Sequence, residues 1–238
     1  MTDSPVVVIT GAGRGIGAAT ANLLAERGQT VLAVDLVHTE TSEAAHPVTF
    51  DVSSAEAWAE LGTHLEHTYG RLDGLVHCAY TLTLAPIHEQ SVEQWDRQLA
   101  VNLSPVHRSL VATYPLLASS GGSVVLVSSV HALVGIPGHP AYAASKGALV
   151  ALSRQLAVEY GPQMRVNSVL PGPVLTAAWD RVDEAGRTKT AAGTTLQRLG
   201  EPREVAEAIA FLLSPAASFI SGASLVVDGG MTAKKDAE

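Results

Sequence analysis

The chain has a single cysteine, Cys78, among 238 residues. An intrachain disulfide and a cysteine-rich zinc site are therefore excluded, and its place in an apolar run makes Cys78 an inert buried thiol. Nine histidines are present, yet none falls in H-E-x-x-H or a comparable helical pair, so no metal site is expected. Basic residues are few: 15 Lys and Arg stand against 23 Asp and Glu, a formal charge of −8, which argues against nucleic acid or an anionic membrane as partner. No apolar run approaches the roughly 18 residues of a membrane span. Met-Thr-Asp-Ser-Pro opens the sequence without a basic segment before an apolar core, so no secretory signal is read and a cytoplasmic protein is expected. Repeats, low-complexity tracts and long linkers are also lacking, and one domain over 1–238 is expected.

What is there alternates. Apolar runs at Val6–Thr10, Thr30–Asp35, Val48–Asp51, Gly74–Cys78, Ser123–Ser128, Arg165–Leu170 and Ala223–Val227 are separated by helical stretches. This pattern predicts an α/β domain with a doubly wound, mostly parallel seven-stranded sheet and helices on both faces. The least regular stretch, Thr176–Thr195, reads as a substrate lid. Residues 231–238 read as a polar tail, loose from Lys234 onward.

The first strand runs into Thr10-Gly-Ala-Gly-Arg-Gly-Ile-Gly17 and then a helix. Glycines at 11, 15 and 17 allow close backbone approach, and a helix start offers free N–H groups and a positive dipole end, together a cradle for a diphosphate. The alternative G-x-G-x-x-A frame uses Gly13, Gly15 and Ala18. The second strand ends in Asp35, a carboxylate suited to ribose hydroxyls and hostile to a 2′-phosphate. Arg14 argues the other way, but Leu36 stands where a phosphate-binding enzyme benefits from arginine. The balance favours NAD over NADP.

Tyr142 and Lys146 lie one helical turn apart, on one helix face. A free tyrosine titrates near ~10, and a lysine cation beside it favours the phenolate. Ser129 closes the apolar run that begins at Ser123.

Over nearly its full length the chain resembles the short-chain dehydrogenase/reductase family. Thr10–Gly17, with Gly11, Arg14, Gly15, Ile16 and Gly17, is similar to the family's cofactor loop, which implies a Rossmann fold. Phe50-Asp-Val52 resembles the adenine-contacting segment, with Asp51 and Val52 at the adenine. Val101-Asn-Leu103 carries the helix asparagine, Asn102, which in the family's manner holds a helix distortion and a water linking the lysine to solvent. Ser129, Tyr142 and Lys146 match the catalytic set in order and spacing. Arg165–Thr176 resembles the strand and turn, Pro171-Gly172, that receive the nicotinamide carboxamide at Val174 and Thr176. Ser221–Gly230 is similar to the last strand. One departure stands out. The family's Asn-Asn-Ala-Gly is His77-Cys-Ala-Tyr80 here; Ala79 is kept, and Tyr80 either walls the pocket or obstructs the dinucleotide, with the wall preferred because the catalytic set is complete.

The resemblance implies hydride transfer between a nicotinamide and a secondary alcohol or ketone, with Tyr142 as general acid/base. Lys146 would hold the nicotinamide ribose, and Ser129, with Ser128 as its rival, the substrate oxygen. The alternatives are an NADP(H)-dependent carbonyl or 3-oxoacyl-type reductase, and a non-catalytic dinucleotide sensor. A small alcohol or ketone is the expected partner, and the apolar helix after Lys146 suggests a homotetramer. His131 and His139 border the substrate and read as solvated loop histidines. Trp179 reads equally as pocket wall or lid packing.

Overall fold

Contiguous β-branched runs need helices on both faces to be buried, and that is how they are used. The computed structural model describes residues 4–234. Strands β1 (Val6–Thr10), β2 (Thr30–Asp35), β3 (His46–Thr49), β4 (Gly74–His77), β5 (Ser123–Val127), β6 (Arg165–Pro171) and β7 (Ser224–Val227) form one sheet in the order β3-β2-β1-β4-β5-β6-β7. All pairings are parallel. β1, β4 and β5 are buried at every position.

Alternation along each central strand divides the core into two layers. Val7 and Ile9 join an apolar cluster with Leu24 of α1 (Gly15–Glu26) and Ile209 of α7 (Pro202–Leu213). Val6 and Val8 join the opposite cluster. It contains Trp58 and Leu65 of α2 (Ala55–Thr68), Leu117 of α4 (Ser104–Ser120) and Leu149 of α5 (Pro140–Tyr160). Fully burying one such aliphatic side chain contributes about 1.5–3 kcal/mol, so the two layers together dominate the stability of the domain.

Register places the functional edge. Thr10 pairs with Val34 on one side and His77 on the other, and His77 pairs with Leu126. The carboxyl ends of β1, β2, β4 and β5 therefore lie level. The strand order reverses direction between β1 and β4, the crevice where open α/β sheets bind ligands.

Four expectations are adjusted. The third strand is His46–Thr49 rather than Val48–Asp51, because the chain turns at Asp51, whose carbonyl accepts from Ser54 N (2.8 Å). It is an edge strand, which is why it tolerates Pro47. The expected lid holds a short turn, Ala177–Trp179, and a helix, α6 (Glu184–Gly193), capped by Asp183 accepting from Gly186 N at 2.8 Å. None of its side chains is buried, so no apolar period announced it. β1 and β2 begin and end as expected, while β4, β5, β6 and β7 each differ at one end by a residue. Lys234 is not loose: its Nζ donates to Ala192 O at 3.3 Å; residues 235–238 of the expected tail lie outside the described residues.

Candidate active site

The glycine turn after β1 is shaped by contacts that exclude side chains. At Gly11, with φ of +65°, an added Cβ would lie 2.6 Å from the Ala79 backbone; at Gly13 it would lie 1.7 Å from Val37 O. Gly15 also has a positive φ, +60°, and a Cβ there would come within 3.2 Å of the Thr176 side chain. At Gly17 it would lie 2.0 Å from Gly11 O. The turn is thus pressed against β4, β2 and the segment after β6. Ile16 is half-buried and Arg14 exposed, and Arg14 makes no ion pair among the described residues.

Asp35 at the end of β2 is locked to this turn. Its Oδ2 accepts from Gly13 N (2.9 Å) and its Oδ1 from Leu36 N (2.7 Å). A loop after β2 straps over the turn: Thr39 N and Glu40 N donate to Gly13 O, at 3.0 and 2.9 Å. The Glu40 carboxylate accepts from Gly15 N at 2.7 Å, the first amide of α1. An anion already prefers this helix start. Neither Glu40 nor the Gly13–Asp35 bond was read from the sequence, since both join residues more than 20 positions apart in a polar loop without periodicity.

His77-Cys-Ala-Tyr80 ends β4. Thr10 Oγ1 accepts from Cys78 N (3.1 Å) and Ala79 N (3.3 Å), clamping the two strand ends together. His77 turns inward to Ser109 Oγ at 2.9 Å, and burial and then the Lys146 charge bring its pKa down to about 3. Neutral and paired, it serves the core. Burial pushes the Cys78 thiol up to about 11, in keeping with an inert thiol. Tyr80 is 49% exposed, with its ring edge-on to Tyr142 at 6.0 Å between centroids.

Tyr142 lies on the first turn of α5, half-buried, and hydrogen-bonds to the Ser129 side chain. Ser128 is the wrong serine for that contact: its Oγ donates to Lys146 O at 2.7 Å, fastening β5 to α5. Burial pushes the Tyr142 phenol well above its usual value, and the Ser129 bond only partly offsets this. Lys146, one turn on, is 2% exposed; its Nζ donates to Val127 O at 2.7 Å and lies 5.5 Å from the centre of the Tyr142 ring. Burial brings its pKa down to about 8. Burial is thus the larger influence on the phenol, and the Lys146 ammonium is hydrogen-bonded to a carbonyl. Asn102 ends α3 (Val92–Asn102), where the helix breaks before α4. Its amide bonds to Thr81 N (2.7 Å), Thr81 O (3.0 Å) and Ser145 Oγ (3.1 Å).

Around the rim, Pro171 ends β6, and Gly172 packs so tightly on Asp228 that a Cβ would sit 2.6 Å from its Cβ. Val174 is buried, and Thr176 Oγ1 caps the next turn, accepting from Ala178 N at 3.4 Å. Asp51 lies farther out: burial would raise its carboxyl, but bonds from Ser53 and Arg97 outweigh that and hold it below the usual range. Val52 is buried and its carbonyl accepts from Trp58 Nε1 at 3.0 Å. Trp179 is half-buried, its carbonyl held by Arg187 at 2.7 Å. Of the loop histidines, His131 is half-buried: it stacks edge-on to Tyr142 at 5.3 Å and buries Nδ1, but not the whole ring, away from solvent. Among the described residues no cluster of His, Cys, Asp and Glu is placed to hold a metal, and no helix is long and apolar enough to cross a membrane.

A family model described as enoyl-(acyl carrier protein) reductase matches residues 11–232. The chain is 38% identical to a cyclopentanol dehydrogenase of Comamonas sp., over 96% of this chain and 97% of that protein. It is likewise 38% identical to a D-threitol dehydrogenase of Mycolicibacterium smegmatis, over 98% and 94%. Its backbone is similar to the ligand-free aldohexose dehydrogenase of Thermoplasma acidophilum, with a TM-score of 0.93 and 31% identity over 99% and 96% of the two chains. The glycine turn at the reversal of strand order, the serine–tyrosine pair with its buried lysine, and these full-length likenesses converge: the chain belongs to the short-chain dehydrogenase/reductase family.

Proposed function

We propose that the protein is an NAD(H)-dependent oxidoreductase that interconverts a secondary alcohol and a ketone, with Tyr142 as general acid/base. One observation carries the reading: the Tyr142 phenol, hydrogen-bonded to Ser129 and one turn from buried Lys146, stands at the same sheet edge as the glycine turn. The relatives' names, alcohol and sugar dehydrogenases, point the same way.

The cradle fits a dinucleotide. Side chains are excluded at Gly11, Gly13 and Gly17, and the start of α1 already attracts the Glu40 carboxylate. Gly11, Arg14, Gly15, Ile16 and Gly17 would line the diphosphate, Asp35 the adenosine ribose, and Asp51, Val52 and Ala79 the adenine side. Pro171, Gly172, Val174 and Thr176 would face the nicotinamide. When bound, the nicotinamide gives or takes the hydride. Ser129 would hold the substrate oxygen, and Tyr142 would move its proton. Lys146 would exchange the Val127 carbonyl for ribose hydroxyls, bringing its charge to bear on the phenol. Asn102 acts by position, fixing the Thr81 backbone and Ser145 beneath the site. Tyr80, half exposed and edge-on to Tyr142, would be a pocket wall.

Two carboxylates, Asp35 and Glu40, beside the glycine turn favour NAD; the exposed Arg14, without an ion pair among the described residues, favours the second reading, an NADP(H)-dependent carbonyl reductase. Titration with NADH and NADPH, followed by nicotinamide fluorescence, decides between them. We expect NADH to bind at least about tenfold more tightly, and Asp35→Asn to erase most of the difference. Tighter NADPH binding in the wild type would install the second reading, and binding of neither would remove the oxidoreductase assignment.

The protein is further proposed to be a homotetramer acting in the cytoplasm on a small neutral substrate. Val111 on α4 is 71% exposed, Val158 on α5 82%, and Phe219 before β7 fully so, apolar surface that a symmetric assembly would cover. Light scattering should give four times the chain mass at micromolar concentration; a monomer would overturn this.

A further inference from the structure

Beside Tyr142 lies an imidazole that the reaction above leaves unused. His131 follows Ser129 by two residues, on the turn Val130–Ala132, and its backbone N–H donates to Ser129 Oγ at 3.3 Å. Its ring is edge-on to Tyr142 at 5.3 Å and 4.5 Å from the ring of His139, whose Nδ1 is taken up by Pro137 O at 2.9 Å. His131 Nδ1 is buried and has no hydrogen-bond partner. A buried orphan N–H is rarer than a buried orphan lone pair, so Nδ1 carries the lone pair and the proton belongs on Nε2. Protonating the ring would bury an unpaired N–H; burial and the neighbouring His139 accordingly bring its pKa down to about 4. Nε2 is not among the buried unpartnered atoms and bonds to nothing else among the described residues. The outcome is a neutral N–H donor fixed next to the place where Ser129 and Tyr142 would hold the reacting oxygen.

We propose that His131 is a substrate-binding residue that donates from Nε2 to a second oxygen, one or two carbons from the reacting carbon. The substrate class is then a diol or hydroxyketone rather than a monofunctional alcohol. This rests on the function proposed above and names its substrate class. Overall likeness does not choose between these classes, because relatives named for a simple cyclic alcohol and for a polyol are equally similar. His131 does choose. A site built to hydrogen-bond a substrate hydroxyl discriminates against the analogue lacking it, since a monofunctional alcohol bound there would take solvent from the Nε2 donor and leave it unpaired.

The test compares kcat/KM for cyclopentanol, cis-cyclopentane-1,2-diol and cis-cyclopentane-1,3-diol, with NAD+ and with NADP+. At least one diol should exceed cyclopentanol by about tenfold or more in the wild type. His131→Phe keeps a ring against Tyr142 but removes the donor; kcat/KM should fall more for the diols than for cyclopentanol, bringing the diol advantage to within about twofold, while NADH affinity holds. His131→Gln, which restores a donor, should recover a diol preference. Loss of the same factor on all three substrates in both variants would make His131 a packing residue for Tyr142 and overturn the proposal. Cyclopentanol oxidation without a diol preference would overturn it while leaving the oxidoreductase reading intact. Binding of neither dinucleotide, with no substrate turned over, would remove both.

Discussion

Replacing Tyr142 by phenylalanine is expected to lower kcat by about 10²–10⁴-fold while NADH binds within about threefold of the wild-type affinity, because the variant loses only the proton-transferring hydroxyl. The ring keeps its edge-on contacts with Tyr80 and His131, so the fold should be unaffected. The pH dependence makes the test sharper. Burial holds the phenol above its ordinary range, so it is protonated through neutral pH and ready to act as the acid in ketone reduction. Alcohol oxidation needs the deprotonated form. Its rate should therefore rise with pH, while the reductive rate, which draws on the protonated form, stays level to pH 10. The oxidative slope should vanish from whatever activity remains in Tyr142→Phe. Stopped-flow rates from pH 6 to 10 in both directions check this. A variant with near-normal turnover, or one whose residual rate keeps the wild-type slope, would remove Tyr142 as the acid/base.

Lys146→Met should abolish turnover and stabilise the fold. Lys146 is 2% exposed, with a single carbonyl partner, and its pKa is brought down from 10.5 to about 8. Such a group binds fewer protons folded than unfolded between about pH 8 and 10.5, so folding becomes more favourable as pH climbs through that window. Below it the whole burial penalty is present, on the order of 3 kcal/mol. Methionine removes the penalty but leaves Val127 O unpaired, an offset of about 1 kcal/mol. Tm at pH 7 should rise by roughly 4–8 °C for a chain of this size, and the gap to the wild type should close near pH 10. Activity should fall by at least about 10²-fold, since the charge that favours the phenolate is gone. Calorimetry at pH 7 and 10 reads the first effect and steady-state rates the second. A Tm that falls at pH 7 would mean that Lys146 is held by more than the geometry shows.

A lysine expected to destabilise the domain it sits in suits the proposed active site better than a structural core. The same reasoning separates Ser129 from Ser128. In sequence Ser129 is preferred and Ser128 is its rival, both at the end of one apolar run. Alternation along β5 turns Ser128 onto α5, where it bonds to Lys146 O, and leaves Ser129 facing Tyr142. His77 shows the converse: a polar residue at a functional edge that the structure turns into the core, paired with Ser109.

Much was determined by the sequence alone. Contiguous β-branched runs identify buried parallel strands because only a strand covered on both faces makes such a run favourable, and the glycine turn and the Tyr142–Lys146 spacing are local patterns written within one or two turns of chain. The tertiary structure decided what depends on residues far apart or on surfaces without period. Helix α6 buries nothing and so left no apolar signal. The Glu40 strap on Gly15 N joins positions 25 apart. The neutral, half-orphaned state of His131 arises because Tyr142 and His139, brought in by α5, enclose it. Local pattern specifies elements because dihedral preference and burial periodicity act over a few residues. Protonation states and pocket chemistry follow from desolvation by whatever the fold brings near, and no short stretch of sequence carries that.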